Sequence, residues 1–381
     1  MKENFTNFIS SKKTLLGAGP MSTNCIDAIL EVSDSGKIPF QLIASRRQVD
    51  AEFLGGGYVN NWNTSEFTSY IKGSKKDNLV YITRDHGGPY QNTLEINNKM
   101  SYKDAFESSI NSYLEDIENG FDFLHIDPSV DVDDKELPKE IIVSRTIEIL
   151  GRLSEETDGL KNISIEVGTD EQSDEINSIE DSEYSLKKII EFCKSQNIPK
   201  PLFFVIQNGT KVLEDENVGE YKEMVENKDF NKKLINLSAM FSNYGVYTKA
   251  HNSDYLDKET LSSFKNVGIN AINIAPEYGV FETKKIIEVL QENNYSKELE
   301  EFLRISFESM KWKKWLKFDS KITDFEKSVL SGHYVFANSE FIELKSKIEV
   351  KLRNSGINLN EFIKSELIQL FKYQLEGLGW K

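Results

Sequence analysis

Residues 79–86 read LVYITRDH, residues 121–127 read FDFLHID and residues 245–251 read GVYTKAH. Each is a run of β-branched and aromatic residues with a histidine at or near its end and a carboxylate close by at Asp85, Asp127 and Asp254. Runs of this kind, closed by polar or turn residues, are the pattern of short strands. The chain holds only four histidines in 381 residues, so three of them at strand ends is a selective placement.

Working outward, five more strand patterns occur, which gives eight in order: Thr14 to Ala18, Phe40 to Ala44, Leu79 to Thr83, Phe121 to Ile126, Ile163 to Val167, Leu202 to Ile206, Val246 to Ala250 and Ala271 to Ile274. Segments such as MSTNCIDAILEVSDSG (21–36) and MSYKDAFESSINSYLEDIENG (100–120) fall between them, with capping residues, apolar positions at three and four spacing, and terminal glycines. Strict β-then-α order implies parallel strands with crossover helices and excludes an all-α or all-β chain. An open doubly wound sheet competes. It is disfavoured because no G-x-G-x-x-G follows the first strand and because polar residues end most strands instead of gathering at one crevice. The expectation is a (β/α)8 TIM barrel over residues 1–280. From Phe281 the pattern turns helical throughout, which predicts a helical C-terminal extension over 281–381. The acidic stretch 168–184, GTDEQSDEINSIEDSEY, reads as a solvated loop.

Composition agrees with a large folded unit. Hydrophobic residues make up 39% and aromatics 11% of the chain, enough for a substantial core. A formal charge of −16 argues against nucleic acid or an anionic membrane as partner, and an anionic small substrate would need a local basic pocket. Cys25 and Cys193 are the only cysteines, far apart and outside metal-binding spacing, as suits a reducing cytoplasm. No stretch approaches the roughly 18 apolar residues of a membrane span. These features lead us to expect a soluble cytoplasmic protein.

In α/β barrels the chemistry gathers at the C-terminal ends of the strands. His86 sits in a turn between Asp85 and Gly87-Gly88, His125 and Asp127 share one strand face at period two, and His251 leads into Asn252, Ser253 and Asp254. A single histidine at a strand end is commonly structural. Three at the same end are instead the ligand set of a divalent cation, and zinc is expected, although other first-row ions also accept imidazole. Glu166 closes the fifth strand and could bind metal or move protons, with Glu171 as its competitor. Arg46 and Arg47 end the second strand ahead of Gln48, where guanidinium groups suit anion capture, although salt bridging to an acidic surface is an equal reading. Barrels often hold phosphate near the seventh and eighth strands, which draws in Ser253 and Glu277. Gln48, Asp127, Asn252 and Asp254 complete the expected substrate contacts. His333, in SGHYVF, is expected to be structural.

Taken in order, QLIASRRQVDAEFLGGGYVNNWNTSEFTSYI (41–71), RDHGGPYQ (84–91), HIDPS (125–129), AHNSDY (250–255) and NAINIAPEYGVFETK (270–284) resemble the so-called non-catalytic subunit of class II D-tagatose-1,6-bisphosphate aldolase. The likeness spans roughly residues 15 to 290. It implies a barrel fold and a metal-dependent aldolase (a carbon–carbon lyase) or ketose-phosphate 4-epimerase of carbohydrate metabolism, with a small sugar phosphate as substrate. In class II aldolases the Asp directly before a metal-ligand His is the catalytic base, and the resemblance carries that role to Asp85. Asn252 stands where the family has serine, and Arg46-Arg47 stand where it has a neutral pair. The family name implies an alternative, a partner that stabilises a separate catalytic aldolase subunit. A homo-oligomer is a further expectation.

Overall fold

The computed structural model describes residues 13–74, 79–132, 137–169 and 176–380. Eight strands, β1 (Leu15–Ala18), β2 (Phe40–Ser45), β3 (Val80–Gly87), β4 (Phe123–Ile126), β5 (Ser164–Gly168), β6 (Phe203–Ile206), β7 (Tyr247–Ala250) and β8 (Ala271–Ile274), form a closed barrel. Every strand runs parallel to its neighbours, and β8 returns to β1 through Leu15↔Ala271 to Ala18↔Ile274. Helices follow the strands: α1 (Thr23–Gly36), α2 (Thr64–Ser74), α3 (Tyr102–Glu118), α4 (Lys139–Glu156), α5 (Ile179–Ser195), α6 (Lys228–Asn243), α7 (Lys258–Ser263) and α8 (Pro276–Glu292). Their starts are set by side-chain caps, for example Ser22 on α1, Ser101 on α3 and Asn227 on α6, which accept from otherwise unsatisfied first-turn amides. This is the expected (β/α)8 barrel with helices beyond it.

Inward-facing side chains fill the barrel in layers. At its base Leu15, Tyr81, Phe123, Phe203 and Ala271 pack with Tyr247, and ring centroids lie 6.1 Å (Tyr81–Phe123) and 6.4 Å (Phe123–Phe203) apart. Beside this apolar base the interior also holds a polar cluster. There Glu166 accepts from Lys249 Nζ at 2.8 Å and from Gln41 Nε2 at 2.5 Å, with all three side chains buried. A buried carboxylate of this kind is tolerated because a cation and an amide satisfy both of its oxygens.

The chain beyond the barrel forms α9 (Ser296–Glu308), α10 (Asp324–Ser331), α11 (Ser339–Asn354) and α12 (Leu359–Gly377). α8 runs unbroken across residue 280, and the helices after it share one apolar cluster with the barrel. α12 lies along α1, and its Phe371 ring meets Phe40 of β2 at 6.0 Å and Tyr278 of α8 at 4.6 Å. At the base, Trp380 Nε1 donates to the Thr14 carbonyl at 2.7 Å.

One local expectation is corrected. The acidic stretch is not loop throughout: α5 begins at Ile179, capped by Ser178, with Glu180 and Asp181 in its first turn. Negative charge is favourable at a helix N-terminus, so a charge run that reads as solvated loop can equally be a helix start.

Truncating Phe371 to alanine removes the ring that joins the extension to both β2 and α8. We expect a loss of about 3–5 kcal/mol, measured by urea unfolding. A loss below about 1 kcal/mol would mean that this packing is dispensable.

Candidate active site

The site begins with an irregularity in β3. Arg84 pairs with Leu124 and Gly87 with Ile126, so Asp85 and His86 together stand opposite the single residue His125. In a regular strand consecutive side chains point to opposite faces. A bulge breaks that rule. With His86 at φ 44°, both Asp85 and His86 turn into the same cavity. A left-handed non-glycine residue costs about 1–3 kcal/mol and is found where function or packing demands it. The two glycines that follow make room: a Cβ on Gly87 would lie 2.4 Å from the Tyr113 ring, and one on Gly88 would lie 2.6 Å from the Asp127 carbonyl oxygen.

The three expected histidines converge. Ring centroids lie 5.3 Å (His86–His125), 4.9 Å (His86–His251) and 5.3 Å (His125–His251) apart. His86 Nδ1 donates to Asp127 Oδ2 at 2.7 Å, which leaves Nε2 as its acceptor. His125 Nε2 donates to the Gly168 carbonyl at 3.0 Å, which leaves Nδ1 as its acceptor, met here by the His86 amide at 3.3 Å. Asp127 is itself held by Gln91 Nε2 at 3.1 Å and Ser129 Oγ at 2.6 Å. Outer partners of this kind fix the tautomer and ring orientation of metal-binding histidines.

One nitrogen from each of His86, His125 and His251 lies within 4.8 Å of the other two, so the trio can hold a metal ion. A tetrahedral ion with bonds of ~2.0–2.1 Å holds its nitrogens roughly 3.4 Å apart. To hold such an ion the rings would have to approach one another by about an ångström, which side-chain rotation allows. The donor set fits.

The Asp85 carboxylate lies amid the rings, with Oδ2 3.7 Å from His86 Nε2 and Oδ1 3.6 Å from His125 Nδ1 and 3.8 Å from His251 Nε2. Asn273 Nδ2 donates to its Oδ1 at 3.1 Å. Burial alone would raise this carboxyl, but the imidazoles outweigh it and hold Asp85 well below the usual carboxylate range.

The other expected residues divide. Arg47, Gln48, Asp127, Asn252 and Asp254 line the cavity of about 280 Å³ together with Asp85, His86 and His251. Arg46, Glu166, Ser253 and Glu277 do not line it. Arg46 is buried, with Nε 3.0 Å from Asp50 and NH2 2.8 Å from Glu95, which is the salt-bridge reading of that residue. Glu166 is the partner of Lys249 in the layer below, and Glu171 lies outside the described residues. Gln48 spends its amide on the Ser45 amide and the Pro20 carbonyl. Asp254 accepts from the amides of Ala275 and Glu277, both at 2.9 Å, and so caps α8. Glu277 accepts from the Tyr255 amide at 2.8 Å, and burial, then Asp254, push its carboxyl up to about 8. Ser253 is buried, with its amide on the Asn273 carbonyl. His333 packs against Gly279 and meets the Tyr334 ring at a tilt with centroids at 4.0 Å, and burial, with Lys314 adding to it, lowers the imidazole to about 3.

Several contributors escaped the sequence reading. Asn273 and Lys249 are polar residues inside the apolar strands AINI and YTKA, and Lys249 stands two residues before His251 on the same face, a period-two signal. Gln91 gave no such signal. Nor did Tyr58, Lys314, Trp315 and Tyr334, which line the cavity from far along the chain.

Comparison with solved structures finds the same architecture in other chains. A probable tagatose 6-phosphate kinase from Sinorhizobium meliloti 1021 matches with a TM-score of 0.70 at 13% identity, over 96% of this chain and 100% of that one. A fructose-bisphosphate aldolase from Campylobacter jejuni matches with a TM-score of 0.56 at 12% identity, over 100% of this chain and 95% of that one. Likeness at this identity shows the fold, a (β/α)8 barrel. No sequence family and no curated protein matches the chain, so the motif resemblance to the tagatose-bisphosphate aldolase subunits finds no family to support it. Among the described residues no helix is long and apolar enough to cross a membrane.

Two measurements probe this geometry. Asp127→Asn removes the anion that holds His86, and we expect affinity for added Zn²⁺ to fall about 10–100-fold in a chelator competition; unchanged affinity would assign Asp127 another task. Glu277 binds its proton more tightly folded than unfolded, since its ordinary value is 4.5 and its folded value about 8. Stability from this group is therefore complete below pH 4.5 and is lost as pH rises toward 8. The melting temperature of Glu277→Gln relative to the native chain should climb across that window, and parallel curves would refute the shift.

Proposed function

We propose that the chain is a metal-dependent aldolase or 4-epimerase that acts on a ketose, expected to be a sugar phosphate, by breaking the bond between C3 and C4. The observation that carries this reading is the Asp85 carboxylate lying 3.6 to 3.8 Å from nitrogens of three convergent imidazoles at the mouth of the barrel. The neighbours' names, one a fructose-bisphosphate aldolase and one a probable tagatose 6-phosphate kinase, support a phosphorylated sugar. Two buried, unbridged cysteines support a cytoplasmic setting.

A divalent ion held by His86, His125 and His251, with zinc the expected metal, would supply Lewis-acid polarisation of the ketose C2 carbonyl. Asp85 is the base. Its carboxylate takes the proton of the C4 hydroxyl as the C3–C4 bonding pair moves toward C2, giving an aldehyde and an enediolate. Asn273 orients Asp85 through its hydrogen bond. Release of the aldehyde makes the reaction an aldol cleavage. Rotation of the aldehyde before the bond re-forms inverts C4 instead, with Asp85 returning the proton.

Metal content and turnover of ketose phosphates, measured together, test the proposal. His86→Ala and His251→Ala should lose metal and activity in parallel, whereas Asp85→Asn keeps its metal and loses about 10²–10⁴-fold in rate. Full turnover by metal-free His86→Ala would end this mechanism. Turnover that requires an added catalytic aldolase chain would favour the supporting-subunit reading.

A further inference from the structure

We propose that Lys314, carried by the C-terminal extension, and Arg47, at the end of β2, form a recognition site for an anionic group at the far end of the substrate. This inference rests on the ketose reading above and narrows it to a monosaccharide that carries a terminal phosphate or carboxylate.

Charge is segregated within the cavity. Its lining carboxylates, Asp85, Asp127 and Asp254, are engaged with the imidazoles, with His86 and with the start of α8. Lys and Arg appear in the lining only as Arg47 and Lys314, and among the described residues neither lies in an ion pair. In a chain of net charge −16, two exposed cations left without carboxylate partners at one cavity mouth are a local exception.

The lysine is held in place. Its ammonium lies over the rings of Trp315 at 4.6 Å and Tyr334 at 4.9 Å, a pair joined by a Trp315 Nε1 bond to the Tyr334 hydroxyl at 3.2 Å. The short helical turn Lys311–Trp315 is itself docked, because the Glu214 amide donates to the Trp315 carbonyl at 2.7 Å from the hairpin that follows β6. Tyr334 meets Tyr58 edge-on at 4.8 Å, and the Tyr58 amide bonds the Arg47 carbonyl at 3.1 Å. A run of aromatic contacts thus leads from Lys314 to the backbone of Arg47 at the mouth. With about 280 Å³ of space, the cavity sits at the lower end of ligand pockets, which suits a single sugar.

Calorimetry on the Zn²⁺-loaded protein tests the site directly, with four probes: a ketohexose 6-phosphate, the same ketohexose without phosphate, a hexuronate and inorganic phosphate. The native chain should prefer at least one anionic sugar over the neutral one by about 10-fold or more, and Lys314→Ala and Arg47→Ala should each erode that preference about 5- to 10-fold. Lys314→Arg should restore most of it. Whichever anion shows the larger loss in the double variant is the one the site is built for. A native chain with no preference for either anionic sugar, or a double variant that keeps the native preference, overturns the proposal. Because binding is read separately from turnover, an anion preference lost in the double variant without turnover of any ketose would leave this site standing and remove the catalytic reading. Turnover with an unaltered preference would do the reverse.

Discussion

A carboxylate buried among three imidazoles is the constraint around which the upper half of this barrel is arranged. Asp85 is 6% exposed, and an ionised carboxylate so far from water survives only if its oxygens are satisfied locally. Asn273 supplies a hydrogen bond, and a nitrogen of each of the three histidines lies 3.6 to 3.8 Å away. That arrangement needs two consecutive residues of β3 to face inward, hence the bulge, the left-handed backbone at His86 and the glycines that let Tyr113 and Asp127 approach. Tyr113 then donates to the His125 carbonyl at 2.9 Å and steadies the second ring. Strain at one residue is held by contacts from three strands.

Beneath the site the barrel changes character in a single layer. The aromatic base around Phe123 and Phe203 excludes water, while the layer of Gln41, Glu166 and Lys249 brings a charged pair to within one side chain of the histidines. Such a pair adds little net stability, since desolvation offsets its attraction, but removal of either partner strands a buried charge at a cost of about 3–5 kcal/mol. Glu166 is therefore tied to Lys249 before any other task can claim it. His125 and Glu166 are register partners on β4 and β5, so the polar layer also fixes the strand that delivers the second imidazole.

The barrel was legible because its strands are short apolar runs that end in polar residues, and a closed parallel sheet repeats that pattern eight times. The histidine trio was legible for a related reason: strand ends share one face of a barrel, so residues scattered from 86 to 251 in the chain must meet there. Local order was harder. Arg46 and Arg47 are adjacent and chemically identical, yet one turns inward to Asp50 and Glu95 and the other faces the cavity. Only the path of the backbone separates them. Lys314, Trp315 and Tyr334 come from helices whose periodicity announced a helical region but not where it docks, because docking is set by packing between elements far apart in sequence, such as Phe371 on Phe40.

The extension resolves a tension between overall charge and expected substrate. A net charge of −16 repels anions at long range, yet at physiological ionic strength charges more than about 8 Å apart are largely screened. What a ligand meets at the mouth is therefore set by the side chains nearest it. The acidic groups there are already committed to imidazoles and helix amides, while an arginine from the barrel and a lysine from the extension remain open to solvent. A barrel without its extension would keep its metal ligands and lose one of the two cations that line the cavity. On this view the hundred residues beyond β8 are part of the site because they determine which charge may enter it.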